Sequence, residues 1–266
     1  MRLPQAPLVR GELYGDGEPA LDDPAELFHE ASKLHPALAH RQGAGLARLA
    51  ANEHLQSASA HAVRRNPRRR CHRLPRPQRP KCSLWHALDL RRSRRDFTGA
   101  SLSLAHLATL LDAGYGLRDG RRRTVPSGGA LYPFELHVAA RAVGAMQPGV
   151  YRYDPELHAL EEHELGDPWP ALEAACPLPG LLDGGAAVLL LLAIFGRTRF
   201  KYGLRGYRFA LLEAGHVIQN VALAGVALDL AVLPLGGFYD AQVDALVDAD
   251  GVEESVVYGA VLGGAA

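Results

Sequence analysis

At 266 residues, with 48% hydrophobic and 22% charged side chains, the chain is long enough for one large globular domain with an extension. Its 29 basic and 29 acidic residues cancel, which removes any general pull toward nucleic acid or a membrane surface and leaves only local electrostatic partners. Three irregularly spaced cysteines, Cys71, Cys82 and Cys176, exclude a disulfide framework and favour a reducing cytoplasm.

No apolar run follows Met1 to Gln5, so neither a signal peptide nor an anchor is expected. Residues 1 to about 60 read as a helical preface, with a start at Asp23-Pro24-Ala25-Glu26-Leu27-Phe28, where Asp23 can cap and Pro24 suits the first turn. His29, His35 and His40 fall on it without ligand spacing and are expected at the surface or in packing. From Arg64 to Lys81 the chain is almost entirely Arg, Pro and polar residues, which cannot build a core. It reads as an exposed connector, or as a contact for an acidic peptide or protein. No aromatic residues interleave for base stacking, so nucleic acid is not expected as a partner. Cys71-His72 with Cys82 and His86 lacks any zinc-finger pattern, and no metal site is expected.

Beyond this segment the periodicity becomes regular. Ser103 caps a predicted helix over 104–111 that ends near Gly114 and Gly116. Glu135 to Val143 and Gly149 to Tyr153 read as strands of a hairpin joined by Gly144 to Pro148. Ala186 to Phe195 is wholly apolar, too short to cross a bilayer and suited to a strand buried on both faces. Arg205 to Leu228 has no proline and is apolar nearly all round, as a helix buried between layers or between subunits must be; the second is expected. Ser255 to Leu262 supplies a last strand, and the interleaving predicts an α+β fold.

Four segments are candidates for chemistry. If Arg91-Arg92-Ser93-Arg94-Arg95 is extended, Arg91, Ser93 and Arg95 share one side and can converge on a phosphate; a solvated basic run is the equal alternative. Pro126-Ser127-Gly128-Gly129-Ala130 offers a fixed turn, a hydroxyl and bare backbone for close approach to a ligand, although a plain tight turn uses the same residues. Gly236-Gly237-Phe238 is a second such candidate with the same alternative. Lys201-Tyr202 stands between the apolar strand and the long helix, where either side chain can accept a proton. Lysine and tyrosine ordinarily titrate near about 10, so such a base needs burial or a neighbouring cation, for which Arg205 is the candidate. On the residues alone a surface lysine and a packing tyrosine are the commoner outcome. No G-x-G-x-x-G follows a strand, so a Rossmann nicotinamide site is unsupported.

Arg-Arg-Ser-x-Arg at 91–95, Pro-Ser-Gly-Gly-Ala-Leu-Tyr-Pro at 126–133 and Lys-Tyr-Gly-x-Arg-Gly-Tyr-Arg-Phe at 201–209 occur in that order. Leu212-Glu213-Ala214-Gly215-His216 and Gln219-Asn220 follow. Together they resemble the flavin-dependent nitroreductase superfamily, and within it the SagB-type dehydrogenases, or azoline oxidases, over about residues 84 to 265. Leu27-Phe28-His29-Glu30-Ala31-Ser32-Lys33 is similar to the short N-terminal helix motif of that branch. The resemblance implies a nitroreductase-like FMN-binding α+β fold with a central, mostly antiparallel sheet flanked by helices, dimerising through its long helices. Residues 1–83 would form an extension with a basic arm, and 84–266 the FMN-binding domain.

By the same resemblance Arg91, Arg92, Ser93 and Arg95 hold the FMN phosphate and ribityl chain. Pro126, Ser127, Gly128 and Gly129 line the isoalloxazine from the other subunit, Gly236 and Gly237 lie near the flavin, and Lys201 and Tyr202 supply the base. The implied reaction oxidises thiazolines or oxazolines of a ribosomal precursor peptide to thiazoles or oxazoles, with dioxygen reoxidising the flavin and a separate cyclodehydratase as partner. Two departures stand out: Gly263-Gly264-Ala265-Ala266 supplies no C-terminal basic residue for the phosphate, and Ser127-Gly128-Gly129 replaces the asparagine-containing loop of many nitroreductases, which favours the dehydrogenase branch. The alternatives are an NAD(P)H-dependent nitro- or quinone reductase, an oxidase of carrier-bound nonribosomal peptides, and a flavin-free structural subunit of a cyclodehydratase complex.

Overall fold

The computed structural model describes residues 24–36, 64–120 and 122–266; the expected Asp23 cap, His40 and the opening of the chain lie outside them. In chain order come α1 (Pro24–Ala31), β1 (Cys71–Arg73), α2 (Leu84–Leu90), α3 (Leu104–Tyr115), β2 (Leu117–Arg118) and β3 (Arg122–Arg123). Next are β4 (Phe134–Ala140), β5 (Gly149–Asp154), β6 (Ala159–Leu165), α4 (Trp169–Ala175) and β7 (Ala187–Ile194). The chain finishes with α5 (Gly196–Tyr202), α6 (Leu204–Ala227), β8 (Leu230–Leu235), α7 (Asp240–Ala245) and β9 (Glu254–Gly264).

Alternate side chains of a strand point to opposite faces, so a strand covered on both sides must be apolar throughout. The 186–195 run meets that condition and becomes β7, inside a seven-stranded sheet of order β1-β6-β5-β4-β7-β9-β8. Every pairing in it is antiparallel. Leu189, Leu191 and Ala193 face a core shared with α3 and α6, while Val188, Leu190 and Leu192 face a second core with Trp169, Leu172 and Val243 of α4 and α7. The α+β architecture expected from the sequence, an antiparallel sheet between helical layers, is the one observed. The hairpin is also as expected, with His137 opposite Arg152 and Ala140 opposite Gly149. Ser103 accepts the His106 N–H at 3.1 Å and caps α3, which ends at Gly116.

The long apolar helix divides its surface. Ala210, Ala214, Val217, Ile218 and Val221 of α6 are buried in the first core, whereas Leu204, Leu211 and Leu212 are exposed. Among the described residues α6 is the one helix long and apolar enough to cross a membrane; it packs on α3 and β8.

The 64–81 segment differs from the exposed connector expected. Most of its side chains are exposed, but Cys71–Arg73 pair with Ala159, Leu160 and Glu161 as an edge strand of the sheet. Arg65 pairs with Asp154 and Glu156, each at 2.5 Å, and Arg69 meets His163 at 2.6 Å. An Arg/Pro composition prevents a core of its own, yet it leaves backbone groups free to close an existing sheet edge where local acids offset the cations.

The described N-terminal segment is docked rather than trailing. Phe28 of α1 meets Tyr207 edge-on at 5.4 Å, and Tyr207 stacks on Phe195 at 4.6 Å. Arg208 donates to the Ser32 hydroxyl and to the His29 carbonyl, both at 2.7 Å, and Arg205 donates to the Ser32 carbonyl at 3.3 Å. The two arginines thus satisfy carbonyls at the end of α1 that its own turns leave open.

Beneath the sheet's β4 end lies a buried ionic cluster. Glu135, 7% exposed, accepts from Arg197 at 2.7 Å and from Arg152 at 3.4 Å, with Arg64 3.7 Å away. Arg152 also donates to Glu161 at 2.9 Å. Burial lowers the Arg197 guanidinium from its ordinary pKa, and the Glu135 charge opposes that shift.

Two outcomes follow from this packing. Glu135→Met strands the Arg197 cation and is expected to lower stability by about 3–5 kcal/mol, most of which the double variant Glu135→Met/Arg197→Met recovers. Urea unfolding midpoints test this, and no recovery in the double variant would show that charge compensation is not what the pair contributes. Arg208→Leu should raise the rate of limited proteolysis within residues 24–36 about tenfold or more, since each charge-assisted hydrogen bond contributes about 1.5–3 kcal/mol. An unchanged rate would mean that the Phe28–Tyr207 contact alone holds α1.

Candidate active site

Two segments enter the same end of the sheet. The turn of residues 126–133 feeds β4, whose Phe134 lies opposite Ala193 near the end of β7, and β7 leads through Phe195 into α5. Lys201 and Tyr202 form the last turn of α5, half-buried, with the ammonium 5.0 Å from the centre of the Tyr202 ring. Gly203, at φ 56°, then turns the chain into α6. Thr198 ties the two helices by donating its hydroxyl to the Gly206 carbonyl at 3.0 Å.

The glycine-rich turn rests on the Lys–Tyr pair. Gly129 has φ 66°, and a Cβ there would lie 2.6 Å from both Lys201 Nζ and Tyr202 Oη, so only a residue without a side chain brings this backbone so close. A Cβ on Gly128 would stand 3.0 Å from the Phe209 ring, which meets Tyr202 edge-on at 5.0 Å. Of the segments singled out in the sequence, these two are therefore in contact within one chain. Ser127 Oγ accepts the Tyr132 N–H at 2.9 Å and closes the turn.

Behind the turn is a polar network that no motif announced. Tyr115 donates its hydroxyl to Glu213 Oε1 at 2.8 Å and accepts the Phe134 N–H at 3.3 Å. Burial raises the Glu213 carboxyl to about 7, opposed by the nearby Ser127 and Tyr115 hydroxyls and the Arg123 charge. Burial also pushes the Tyr115 hydroxyl well above its ordinary value. The sequence motifs assign Glu213 no role; its one signal there is a lone acid in an apolar helix. Glu135 and Arg197 were missed in the same way.

The arginine run lies elsewhere. Its backbone follows β8, with the Arg94 N–H bonded to the Val232 carbonyl at 3.3 Å and the Arg94 side chain to the Ala266 carbonyl at 2.6 Å. The less exposed positions are Arg91, Arg94 and Phe97, every third residue. The two-residue alternation that would set Arg91, Ser93 and Arg95 on one side is therefore absent, because this segment runs beside the sheet without joining its ladder. Arg92, Ser93 and Arg95 are exposed, and no ion pair joins Arg91, Arg92 or Arg95 to a described residue. Gly236 and Gly237 form an exposed loop after β8, where a Cβ on Gly236 would meet the Tyr258 ring at 3.4 Å. No hydrogen bond among the described residues links the arginine run or this loop to the glycine-rich turn.

Arg205, the expected neighbouring cation of the pair, lies 6.0 Å from the Phe209 ring centre and donates to Ser32 instead. With Arg208, Phe209, Leu211 and Leu212 it lines a surface concavity of about 360 Å³ beside the pair. The site thus combines bare backbone, two proton-accepting side chains, an aromatic wall and an adjoining cationic and apolar hollow.

The chain is similar to known proteins in sequence and in fold. Residues 88–264 match the nitroreductase family, a span that includes the arginine run, the turn, the Lys–Tyr pair and the Gly236-Gly237 loop. A protein of Methanocaldococcus jannaschii named as a nitroreductase is 37% identical over 171 residues, covering 63% of this chain and 85% of that one. The Escherichia coli microcin B17-processing protein McbC is 33% identical over 144 residues, 48% of this chain and 49% of McbC, so the alignment spans about half of that relative. A solved E. coli microcin synthetase McbBCD complex with truncated pro-MccB17 bound contains a chain of similar fold, with a TM-score of 0.59 at 24% identity over 97% of both chains. By its sequence over these residues and by its fold, the chain belongs to the nitroreductase family.

Proposed function

We propose that this protein is an FMN-dependent oxidase that converts thiazolines or oxazolines of a peptide to thiazoles or oxazoles. The observation that carries the reading is the seating of Gly129 on Lys201 and Tyr202, which puts two proton acceptors against an exposed stretch of glycine backbone. Kinship with McbC, a microcin-processing protein, supports the peptide substrate.

The residues fit the cofactor. Gly128 and Gly129 offer backbone without side chains beside Phe209, Lys201 and Tyr202, and Arg91, Arg92 and Arg95 carry charges that no described residue pairs. Arg91, Arg92, Ser93 and Arg95 would hold its phosphate end, Pro126, Ser127, Gly128 and Gly129 its ring system, and Gly236 and Gly237 would lie beside it. That the arginine run and the turn share no hydrogen bond within one copy supports their serving one cofactor from two subunits. The exposed Leu204, Leu211 and Leu212 on α6 supply an apolar face for that homodimer.

FMN, when bound, supplies a two-electron acceptor whose electrons pass to dioxygen as hydrogen peroxide. The chain's own task is the proton that the ring loses together with a hydride, and product aromaticity favours the loss. Lys201 Nζ or Tyr202 Oη takes it; Phe209 holds the tyrosine ring edge-on, and Gly128 lies against Phe209. The rings themselves require a separate cyclodehydratase, so we propose a complex with one. Exposed Arg68, Arg70, Arg73, Arg76 and Lys81 would meet an acidic partner or leader peptide.

A second reading, an NAD(P)H-dependent nitro- or quinone reductase, is favoured by the nitroreductase name of the M. jannaschii relative. Addition of NADH or NADPH to the FMN-loaded protein separates the two: rapid bleaching of the flavin supports the reductase, and its persistence supports the oxidase. For the oxidase, the double variant Lys201→Ala/Tyr202→Phe should keep its flavin and lose at least about 100-fold in azoline oxidation. A normal rate would remove the pair from the mechanism. Without dioxygen, turnover should stop after one equivalent per flavin, and sustained anaerobic turnover would refute the proposed electron acceptor.

A further inference from the structure

We propose that Glu213 is a positioning residue, a buried carboxyl that fixes both ends of the glycine-rich turn and so sets where Gly129 seats Lys201 and Tyr202. The inference rests on the reading of Lys201 and Tyr202 as the proton acceptors.

Glu213 is 2% exposed and lies one helical turn beyond Phe209, on the face of α6 that meets the turn. Phe209 carries Gly128 and Tyr202. The carboxyl reaches the remaining parts of the same segment. Through the Tyr115 hydroxyl, bonded to Oε1 at 2.8 Å, it holds the Phe134 N–H at the exit of the turn. At the entrance, Ser127 lies close enough to favour the ionised carboxyl. Ser127 Oγ already accepts from Tyr132, which leaves its own hydrogen available for donation. Oε2, meanwhile, is buried without a hydrogen-bond partner in the present geometry. A buried oxygen is seldom left so, and the neighbour that can satisfy it is Ser127, whose hydroxyl can donate to the carboxylate or accept from the acid.

The direction of that bond reverses with the protonation of Glu213, and the proposal is that the turn follows it. As a carboxylate, Glu213 accepts from Tyr115 and from the Ser127 hydroxyl; as an acid, it donates from Oε2 to Ser127 Oγ, the atom that also accepts the Tyr132 N–H. The charged and titratable groups facing it are Tyr115 from α3 and Arg123 from β3, with Ser127 the other polar neighbour. Arg123 sits over the rings of Tyr115 and Tyr132, at 4.5 and 5.2 Å, so its cation is held against this same network. The folded chain keeps the Glu213 proton up to about 7, against 4.5 ordinarily. The stabilising effect of that proton is therefore complete below about 4.5 and is lost as the pH rises through about 7.

Tyrosine labelled with 13C at Cζ reports the seat directly, in the full chain with FMN added and with no substrate, the Tyr202 signal being assigned by its loss in Tyr202→Phe. In the wild type this signal is expected to shift between pH 6 and 8 with a midpoint of about 7. Glu213→Gln keeps an acceptor for Tyr115 and should abolish the shift, and Ser127→Ala, which cuts the same link from the turn side, should do likewise. Glu213→Leu should in addition lower kcat for azoline oxidation about tenfold to 100-fold, with flavin loading and KM within about threefold, and Glu213→Gln should recover most of that loss. A Tyr202 shift that persists in Glu213→Gln and Ser127→Ala overturns the proposal, as does a loss confined to thermal stability with kcat per bound flavin unchanged. If no azoline is oxidised but Tyr202 still follows Glu213, the positioning role stands and only the substrate assignment falls.

Discussion

One carboxylate, Glu135, gives the site a common frame. It receives Arg197 from α5, Arg152 from β5 and the approach of Arg64 from the segment that runs onto β1. Its own backbone is the second residue of β4, immediately after the glycine-rich turn. A buried cation that loses its counter-charge is strongly disfavoured, so the helix bearing Lys201 and Tyr202 cannot drift from the strand that the turn enters. The Glu135–Arg197 bond helps to settle the distance between the elements that bring Gly129 to both side chains.

Much of this was legible in the sequence because it depends on local periodicity. The uninterrupted apolar run of β7, the proline-free α6 and the Ser103 cap each leave a pattern that a few neighbouring residues suffice to show. The turn and the Lys–Tyr pair were legible as unusual residue combinations. Their contact was not, because it is made by glycines with nothing to display and depends on β4 and β7 being neighbours in the sheet.

What escaped the sequence is of one kind, single charged residues whose meaning comes from distant partners. Glu213 looks like one acid in a helix until Tyr115 and Ser127 are seen around it, and Arg197 like one more base after a strand. Arg205 shows the converse. Its place near the pair suggested an electrostatic role there, but the carbonyl of Ser32, far earlier in the chain, takes its hydrogen bond. Composition misled at the 64–81 segment for a related reason, since pairing onto an edge strand uses the backbone, which composition does not record.

That edge strand has a bearing on how the molecule opens. β1 contributes three residues to the sheet, and from its surroundings only Leu74 enters a core. Its partner β6 lies far along the chain, so closing the contact requires a long loop to be ordered for a short ladder and the side-chain contacts of Arg65 and Arg69. The central β4, β7 and β9 are bound on both sides and covered by both cores, and none of them pairs with β1. The sheet is thus a graded structure, in which the β1 edge forms a separate unit of low local stability that exchanges its amide hydrogens ahead of the centre, while the end that carries the site belongs to the last part to unfold.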